Sequence, residues 1–480
     1  MELHLRLEGS RDLSGQIYRQ IRTAILDGRL ERGSRLPPTR ELAHRLAVSR
    51  NTVGVAYGWL TSEGLLSGRA GAGSFVEAAP DPGARSRKAG EVALPVREIW
   101  SRMHGPFDGM APPKPYDFRG GLPDARLFPF DDWRRLAARE LRASAHTVTY
   151  GAVAGHPRLR AAIARHAGVA RGVLAAAEDV VITHGAQQAL DFVGRLFIEP
   201  GTRVAVEEPG YPIPRLLFES LGARIATVRV DTEGMDVGAL PDDTRLVYVT
   251  PSHQFPLGMP MSHARRTALL SWAERRNAVV IEDDYDSEFR FSGRPLETLQ
   301  TMDLNGRVIY VGSFSKTMLP ALRLGFLIAP ASLRAALNAV SYVTQWHCQW
   351  PAQAALARFI DDGLLARHIR KMRREYTARH DRIADRLARD FAEWLEVVPS
   401  VAGIHLCATL RWSSRRFERD VADRARQAGL GLHRLSTFYA GDSARPGLVL
   451  GYGAIPMSRI DEGLRRLRSC FIAAAQAAAG

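Results

Sequence analysis

The sequence predicts a small helical domain followed by a larger α/β domain with a largely parallel sheet. Within residues 1–78, two short helical patterns flank a tight turn and a glycine-rich hairpin pattern follows, which is typical of a winged helix-turn-helix. Residues 79–115 are rich in Pro, Gly, Ala and Arg, and we interpret them as a flexible linker. Across residues 116–480, continuous apolar runs alternate with helical patterns, which indicates buried parallel strands joined by helices.

The length and composition are those of a globular protein. The 480 residues suffice for two or three domains, and 46% hydrophobic with 24% charged residues are ordinary proportions. No apolar run reaches the roughly 18 residues of a membrane span, and the amino terminus lacks the apolar core of a signal peptide. The three cysteines have neither disulfide nor metal-site spacing. We therefore expect a cytoplasmic protein without a metal site and without a membrane partner.

The net charge of +14 favours an anionic partner such as nucleic acid. Residues 1–78 contribute only +3 of this charge and residues 79–115 only +2. Most of the excess therefore lies in the larger domain, and charge alone does not identify the small domain as a DNA-binding site.

Three helices are predicted in the small domain. The first covers 13–30 with Asp12 or Ser14 as its cap, the second lies within 36–46 with Thr39 as its cap, and the third covers 50–60. In a helix-turn-helix the amino end of the last helix reaches base edges and phosphates. The alternative is a solvated helical hairpin at the start of an enzyme. The predicted DNA contacts are Ser49, Arg50, Asn51 and Thr52 on the third helix, Arg40 and Arg69 beside it, and Gly71 and Gly73 at the wing tip.

This segment resembles the winged helix-turn-helix of the GntR superfamily. The resemblance rests on residues 36–43, 48–53 and 63–66 and extends over nearly all of residues 10–76. It implies that double-stranded operator DNA is a partner of the chain. The residues that it places on the DNA are Arg40, Ser49, Arg50, Thr52 and the wing tip.

Lys316 is the centre of the predicted site in the larger domain. The chain contains 61 arginines and only four lysines, and Lys316 follows the apolar strand pattern 308–311. A lysine whose pKa is lowered by burial and nearby cations forms Schiff bases with aldehydes. Ser313, Ser315 and Arg323 offer hydrogen-bond donors for a phosphate. An aldehyde together with a phosphate indicates pyridoxal 5′-phosphate.

Polar clusters follow three further strand patterns, at 180–182, 246–249 and 278–281. In an open α/β sheet such strand ends bind ligands: a helix start binds phosphate, and a carboxylate keeps a pyridine nitrogen protonated. Each cluster alone fits helix capping or a turn equally well, but together with Lys316 they indicate a cofactor site. The residues are Gly185, Ala186 and Gln187 after the first strand, His253 after the second, and Asp283 and Tyr285 after the third.

Residues 116–475 resemble the fold-type I, aspartate-aminotransferase-like enzymes. The resemblance implies a head-to-tail homodimer in which Lys316 forms the aldimine, Asp283 pairs with the ring nitrogen and Tyr285 contacts the phenolic oxygen. His253 occupies a position where many aminotransferases have asparagine. The other implied residues are Ser313, Ser315 and Arg323 for the phosphate, Tyr150 for the neighbouring subunit's phosphate, Tyr211 over the ring and Arg434 for a substrate or effector carboxylate.

The two resemblances together match the MocR/GabR-type branch of the GntR superfamily. They imply a transcription regulator whose aldimine on Lys316 senses pyridoxal phosphate or a small amine or amino acid. The alternative is an active pyridoxal-phosphate-dependent aminotransferase with an accessory DNA-binding domain, because Lys316 serves as aldimine partner or as proton-transfer base. A third interpretation makes the cofactor itself the signal.

Overall fold

The computed structural model describes residues 5–69, 73–77, 95–103, 112–142, 150–292, 297–412, 414–441 and 444–479. The chain forms two compact units, Met1–Val96 and Arg97–Gly480, which we describe separately. Among the described helices, none combines the length and apolarity that a bilayer crossing requires. The predicted wing-tip residue Gly71 and most of the predicted linker 79–115 lie outside the described residues.

The amino-terminal unit consists of helices followed by an antiparallel hairpin. Its elements are α1 (Leu13–Leu26), α2 (Thr39–Arg45), α3 (Arg50–Ser62), β1 (Leu66–Arg69) and β2 (Gly73–Val76). Helix α1 ends before the predicted residue 30 because the chain turns at Gly28, which has a φ of 79°. Asp12 occupies the N-cap position of α1 but makes no side-chain cap bond, and the Ser14 hydroxyl donates to the Thr52 carbonyl at 3.0 Å instead of capping. The predicted cap Thr39 is the first residue of α2, and Pro38 takes the cap position.

Helical spacing of apolar residues explains how this unit packs. Ile17 and Ile21 of α1 and Val53, Ala56 and Leu60 of α3 are fully buried in one cluster. Residues three and four apart lie on one face of a helix, so each helix turns a single apolar stripe inward. The predicted winged helix-turn-helix is confirmed.

The carboxy-terminal unit is built on an eight-stranded sheet. In spatial order its strands are β4 (Val180–Thr183), β11 (Gly325–Ile328), β10 (Val308–Ser313), β9 (Val279–Asp284), β8 (Thr244–Val249), β5 (Arg203–Glu208), β6 (Arg224–Asp231) and β7 (Gly234–Met235). The run from β10 to β6 is parallel, and β11 is antiparallel to both of its neighbours. Leu246 and Tyr248 belong to one buried cluster and Val247 and Val249 to another, so both faces are covered. The predicted α/β fold is confirmed.

A second, antiparallel sheet and a set of helices complete this unit. The four-stranded sheet contains, in spatial order, β12 (Leu395–Val397), β13 (His405–Leu410), β16 (Gly447–Gly451) and β15 (His433–Arg434), and β3 (Tyr116–Asp117) pairs in parallel with β14 (Leu430–Gly431). The helices are α4 (Glu98–Arg102), α5 (Phe130–Glu140), α6 (Pro157–Arg171), α7 (Ala186–Phe197), α8 (Pro212–Ser220), α9 (His263–Arg276), α10 (Leu299–Met302), α11 (Arg334–Thr344), α12 (Trp350–Asp361), α13 (Leu364–Asp390), α14 (Arg415–Gln427) and α15 (Met457–Ala479).

The parallel register places three strand ends side by side. Val249 at the end of β8 pairs with Glu282 of β9, and Asp283 of β9 pairs with Val311 of β10. The segments that follow these strands therefore leave the sheet at the same edge, where open α/β sheets bind their ligands.

Candidate functional site

A cavity of about 300 Å³ lies at this edge of the large sheet. It collects side chains from segments that are far apart in the chain, and most of the predicted cofactor residues are among them. Its lining consists of Gly120, Gly121, Leu122, Ala186, Gln187, Tyr211, Tyr248, Thr250, Phe255, Asp283, Tyr285, Ser313, Ser315, Lys316, Pro320, Arg323, Ile404, His405 and His433.

The Lys316 amine lies on this cavity. Its Nζ donates a hydrogen bond to the Gly121 carbonyl at 2.6 Å. Burial lowers the pKa of Lys316 below its ordinary value, although the carboxylates of Asp286 and Asp283 oppose this effect. A Cβ at Gly121 would lie 3.3 Å from Nζ, so glycine leaves room around the amine. A lysine with a lowered pKa reacts with carbonyl carbons.

Asp283 presents a carboxylate oxygen to the same cavity. Its Oδ2 accepts a hydrogen bond from the Tyr248 hydroxyl at 2.7 Å, whereas its Oδ1 is buried and has no hydrogen-bond partner among the described residues. Burial raises the pKa of Asp283 to about 6, against the hydrogen bond from Tyr248. Because a buried polar atom without a partner is costly, Oδ1 is an acceptor site for a bound N–H group.

Arg323 and Gly325 approach Gly185 closely at the start of α7. Arg323 lines the cavity, whereas the predicted residue Gly185 does not. The Arg323 Nη2 donates to the His184 carbonyl at 2.6 Å. A Cβ on Gly185 would lie 3.1 Å from Nη2 of Arg323, and a Cβ on Gly325 would lie 2.7 Å from Gly185, so glycine at both positions permits these close approaches. A helix amino terminus beside a guanidinium suits a phosphate. The further donors at this place are the Ala186 and Gln187 amides and the Ser313 and Ser315 hydroxyls.

Aromatic side chains line the rest of the cavity. Tyr211 lies edge to face with Phe255, their centroids 5.6 Å apart, and burial raises the pKa of Tyr211 to about 12. Tyr285 also lines the cavity, but His253 does not. The structure places His253 behind Tyr285, with its Nδ1 3.0 Å from the Tyr285 hydroxyl, and brings Phe255 of the same loop to the cavity instead.

Two predicted residues lie away from the cavity of their own chain. Tyr150 is 74% exposed and contacts the Trp346 ring at a centroid distance of 4.1 Å. Arg434 follows His433 on β15, and only His433 is among the cavity residues. Successive residues of a strand point to opposite faces, which separates these two side chains.

The described part of the predicted DNA-binding surface lies at the start of α3. Ser49 caps this helix, since its Oγ accepts from the Thr52 amide at 3.0 Å. The Arg50 Nε donates to Thr39 Oγ1 at 3.4 Å, which links the starts of α3 and α2. The residues exposed here or on the wing are Arg40, Ser49, Arg50, Asn51, Arg69 and Gly73, and Thr52 is partly buried.

Several cavity residues were not predicted: Gly121, Tyr248, Phe255, His405 and His433. Tyr248 lies within an apolar strand and has the pattern of a core residue. A buried tyrosine hydroxyl nevertheless requires a hydrogen-bond partner, and this requirement could have indicated that Tyr248 contacts a polar residue of the site. The others come from loops and from the smaller sheet, where no local sequence pattern indicates their position.

Comparison with known protein families agrees with both units. Residues 13–76 match the gntR family of bacterial regulatory proteins, and residues 120–426 match class I and II aminotransferases. The fold and the site thus define a class of protein in which a DNA-binding unit of the GntR family is joined to an aminotransferase-like unit.

Similar proteins identify the branch of this class. The chain is 39% identical over 469 residues to the probable rhizopine catabolism regulatory protein MocR of Rhizobium meliloti, covering 95% of this chain and 93% of that protein. It is 33% identical to the pyridoxine biosynthesis transcriptional regulator PdxR of Corynebacterium glutamicum, covering 92% and 91%. The chain belongs to the MocR/GabR-type branch of the GntR superfamily of transcriptional regulators.

A solved enzyme structure resembles the carboxy-terminal unit. The α-aminoadipate aminotransferase of Thermus thermophilus, which was crystallised with N-(5′-phosphopyridoxyl)-L-leucine, has a TM-score of 0.68 and 29% identity. The match covers 75% of this chain and 92% of the enzyme.

Proposed function

We propose that the carboxy-terminal unit binds pyridoxal 5′-phosphate on Lys316 and senses the cofactor, or an amine or amino acid that reaches it, to control operator binding by the amino-terminal unit. The observation that carries this proposal is one cavity that holds both the Lys316 amine and the Asp283 Oδ1, an oxygen that has no partner within the described part of the chain. When bound, pyridoxal phosphate supplies an aldehyde carbon and an electron-withdrawing pyridine ring.

The residues present fit this cofactor. Lys316 holds the aldehyde end through Nζ, and Asp283 Oδ1 accepts the ring N–H. Arg323, the Ser313 and Ser315 hydroxyls and the start of α7 at residues 185–187 bind the phosphate. Tyr211 packs against the ring, and Tyr285 contacts the phenolic oxygen.

A homodimer connects this site to DNA binding. Tyr150, which is exposed on its own subunit, reaches the phosphate of the neighbouring subunit. A ligand that binds one arrangement of the dimer more tightly shifts the population toward it. Residues 79–115 connect each DNA-binding unit to the carboxy-terminal unit of its own chain. The two DNA-binding units of the dimer then bind two operator half-sites with higher or lower affinity. Arg434 is the proposed partner of an effector carboxylate.

Absorbance spectroscopy with DNA binding tests the proposal. We expect purified protein to show a visible absorbance band that is absent from Lys316→Ala and retained in Lys371→Ala, a matched change at an exposed lysine. The DNA probe is a fragment selected by this protein from a random-sequence pool, titrated at fixed salt with and without candidate amines. A colourless wild-type protein, or DNA affinity that no amine and no cofactor changes, would contradict the proposal.

An active aminotransferase is the second candidate function. It is favoured by the same Lys316 amine, which lies with Asp283 on a cavity of an aminotransferase-like fold. Its test is steady amino-group transfer to a keto acid, measured beside Lys316→Ala. Multiple turnovers together with unchanged operator affinity would favour this function over the regulatory one.

A further inference from the structure

His253 and Asp286 form a buried pair directly behind Tyr285. The His253 Nδ1 lies 2.9 Å from the Asp286 Oδ1, and the two side chains are 1% and 0% exposed. The same Nδ1 lies 3.0 Å from the Tyr285 hydroxyl. Tyr285 lines the cavity, whereas His253 and Asp286 do not.

The surrounding backbone holds this pair in one arrangement. The Asp286 Oδ2 accepts from the Ile404 amide at 3.2 Å, which fixes the carboxylate. Gly403 has a φ of 93°, and a Cβ there would lie 1.9 Å from the His253 Cε1 and 2.8 Å from the Asp286 Oδ2. The pair therefore fills the space that the missing side chain leaves, and the imidazole has little freedom to rotate.

These contacts assign the proton of the imidazole. A carboxylate only accepts hydrogen bonds, so the nitrogen that faces Asp286, Nδ1, carries the hydrogen. The other nitrogen, Nε2, is buried and has no partner among the described residues, and an N–H there would be unsatisfied. The arrangement therefore selects Nδ1 as the nitrogen that carries the hydrogen.

The tautomer of His253 determines whether the Tyr285 hydroxyl donates or accepts in its hydrogen bond with Nδ1. Because Nδ1 already carries its one hydrogen, it cannot accept a hydrogen bond from the Tyr285 hydroxyl. Nδ1 instead shares this hydrogen between the Asp286 Oδ1 and the hydroxyl oxygen of Tyr285. The hydrogen of the Tyr285 hydroxyl is then free to point into the cavity. Burial, followed by the charges of Asp286 and Asp283, raises the pKa of Tyr285 well above its ordinary value, which keeps that hydrogen in place.

We propose that His253, held by Asp286, is a positioning residue that makes the Tyr285 hydroxyl a hydrogen-bond donor toward the phenolic oxygen of the cofactor. This inference rests on the proposed binding of pyridoxal phosphate. It assigns a role to a histidine that does not touch the cavity, and it separates that role from the direct contact made by Tyr285.

Other titratable groups face these side chains. The His405 ring packs on the His253 ring at a centroid distance of 4.7 Å, and its Nε2 lies 3.2 Å from the Pro256 carbonyl. Burial, and then His253, lowers the pKa of His405 well below its ordinary value, so it stays neutral beside the pair. The groups that face Tyr285 or Lys316 from the neighbouring elements are Glu207, Asp283, Asp284, Asp286 and Arg323.

The test is an absorbance titration of the cofactor-loaded, full-length protein against pH. A hydrogen bond to the phenolic oxygen stabilises the form with more negative charge on that oxygen, so its loss raises the pKa read from the spectrum. We expect His253→Phe, which retains an aromatic ring but has no donor, to raise this pKa by roughly 1. His253→Asn places an amide N–H near the Nδ1 position and should restore the wild-type value.

A double-mutant cycle shows whether His253 acts through Tyr285. Tyr285→Phe alone should raise the spectroscopic pKa at least as much as His253→Phe, and adding His253→Phe to it should change nothing more. The exposed His263→Phe is the control and should behave as wild type. Additive shifts, or an unchanged pKa in His253→Phe, would overturn the inference.

A second measurement does not depend on the cofactor. Long-range proton–nitrogen NMR spectra of the protein without added cofactor report the tautomer of each imidazole, and His253→Phe identifies the signal of His253. We expect a hydrogen on Nδ1, with Asp286→Asn altering the signal. A hydrogen on Nε2 would overturn the inference. A protein that binds no cofactor but shows the Nδ1 tautomer would instead contradict the proposed function.

Discussion

The Tyr248 hydroxyl donates to one oxygen of Asp283 at 2.7 Å, and the other oxygen of the same carboxyl group has no partner among the described residues. Tyr248 comes from β8 and Asp283 from the neighbouring strand β9. The phenol orients the carboxyl group and stabilises its ionised form, while burial raises the pKa to about 6. The pKa of Asp283 is thus close to neutral pH, so a further rise in this pKa would reduce the ionised fraction of the carboxyl group.

Tyr248→Phe should weaken cofactor binding in a pH-dependent way. Removing the hydrogen bond raises the pKa of Asp283 further, so less of the carboxyl group is ionised at pH 7 to accept the ring N–H. We expect the Kd for pyridoxal phosphate, measured by absorbance titration, to rise about tenfold at pH 7 and less at pH 8.5. Tyr342→Phe, at an exposed tyrosine, is the control. An equal effect at both pH values would contradict this explanation.

Glu207→Gln should stabilise the protein at alkaline pH. Burial raises the pKa of Glu207 to about 7, so the folded state retains a proton that the unfolded state releases above about pH 4. This contribution to stability is complete below that pH and is lost as the pH rises through 7. The substitution should increase the free energy of unfolding by on the order of 3 kcal/mol at pH 8.

Thermal unfolding at pH 4.5 and pH 8 without added cofactor measures this effect. The Tm difference between Glu207→Gln and wild type should be small at the lower pH and several degrees at the higher one. Glu274→Gln, at an exposed position, should show no such dependence. A variant that is less stable than wild type at pH 8 would refute the prediction.

Gly403→Ala should be far more disruptive than a similar change elsewhere. Gly403 and Gly363 both have positive φ values, 93° and 70°, but only the first has a collision for its Cβ. We expect Gly363→Ala to cost about 1 kcal/mol through backbone strain and Gly403→Ala about 3 kcal/mol or more, because His253 must move. Urea unfolding of the two variants compares them, and equal losses would show that strain alone matters.

Arg50→Ala should change the salt dependence of operator binding. Arg50 is exposed at the start of α3, where a guanidinium contacts phosphates or base edges. If it neutralises one phosphate, the slope of log K against log salt should decrease in magnitude by about 1. Arg29→Ala is the matched control, because that side chain is paired with Asp27 at 2.8 Å. An unchanged slope would remove Arg50 from the phosphate contacts.

Subunit mixing should show whether Tyr150 acts across the proposed dimer. A hybrid of one Lys316→Ala subunit and one Tyr150→Ala subunit contains one native site if Tyr150 serves its neighbour. We expect this hybrid, purified with two different tags, to bind one cofactor with wild-type affinity, while the Tyr150→Ala homodimer binds more weakly. Affinity equal to that of the Tyr150→Ala homodimer would place Tyr150 in its own subunit's site.

Strand patterns made part of the site predictable. Lys316, Asp283 and Arg323 follow apolar runs that are visible in the sequence, and parallel strands end at a common edge. Phe255 and His405 meet at the cavity only because the four-stranded sheet packs near the β8 loop, and no local pattern encodes that contact. The periodicity of apolar residues therefore predicts the site residues that follow strands, whereas the positions of Phe255 and His405 depend on tertiary packing.

The loop after β8 shows the same limit in detail. The sequence predicts His253 beside the cofactor. In the structure, the side-chain Nε2 of Gln254 donates to the Pro209 carbonyl at 2.8 Å, and the side-chain Oε1 of Gln254 accepts from the Leu257 backbone amide at 3.0 Å. These bonds turn the loop so that Phe255 lines the cavity and His253 points behind it. Such bonds join residues whose spacing in the chain gives no sign of contact.

The antiparallel strand β11 joins two parts of the cavity within one sheet. It hydrogen-bonds to β4, which leads to Gly185, and to β10, which leads to Lys316. Gly185 and Lys316 therefore follow strands of one continuous hydrogen-bonded sheet. Residues 120–122 and 404–405 line the same cavity from segments outside this sheet. We expect a ligand that widens or narrows the cavity to move these segments relative to the large sheet, whose paired strands keep their spacing.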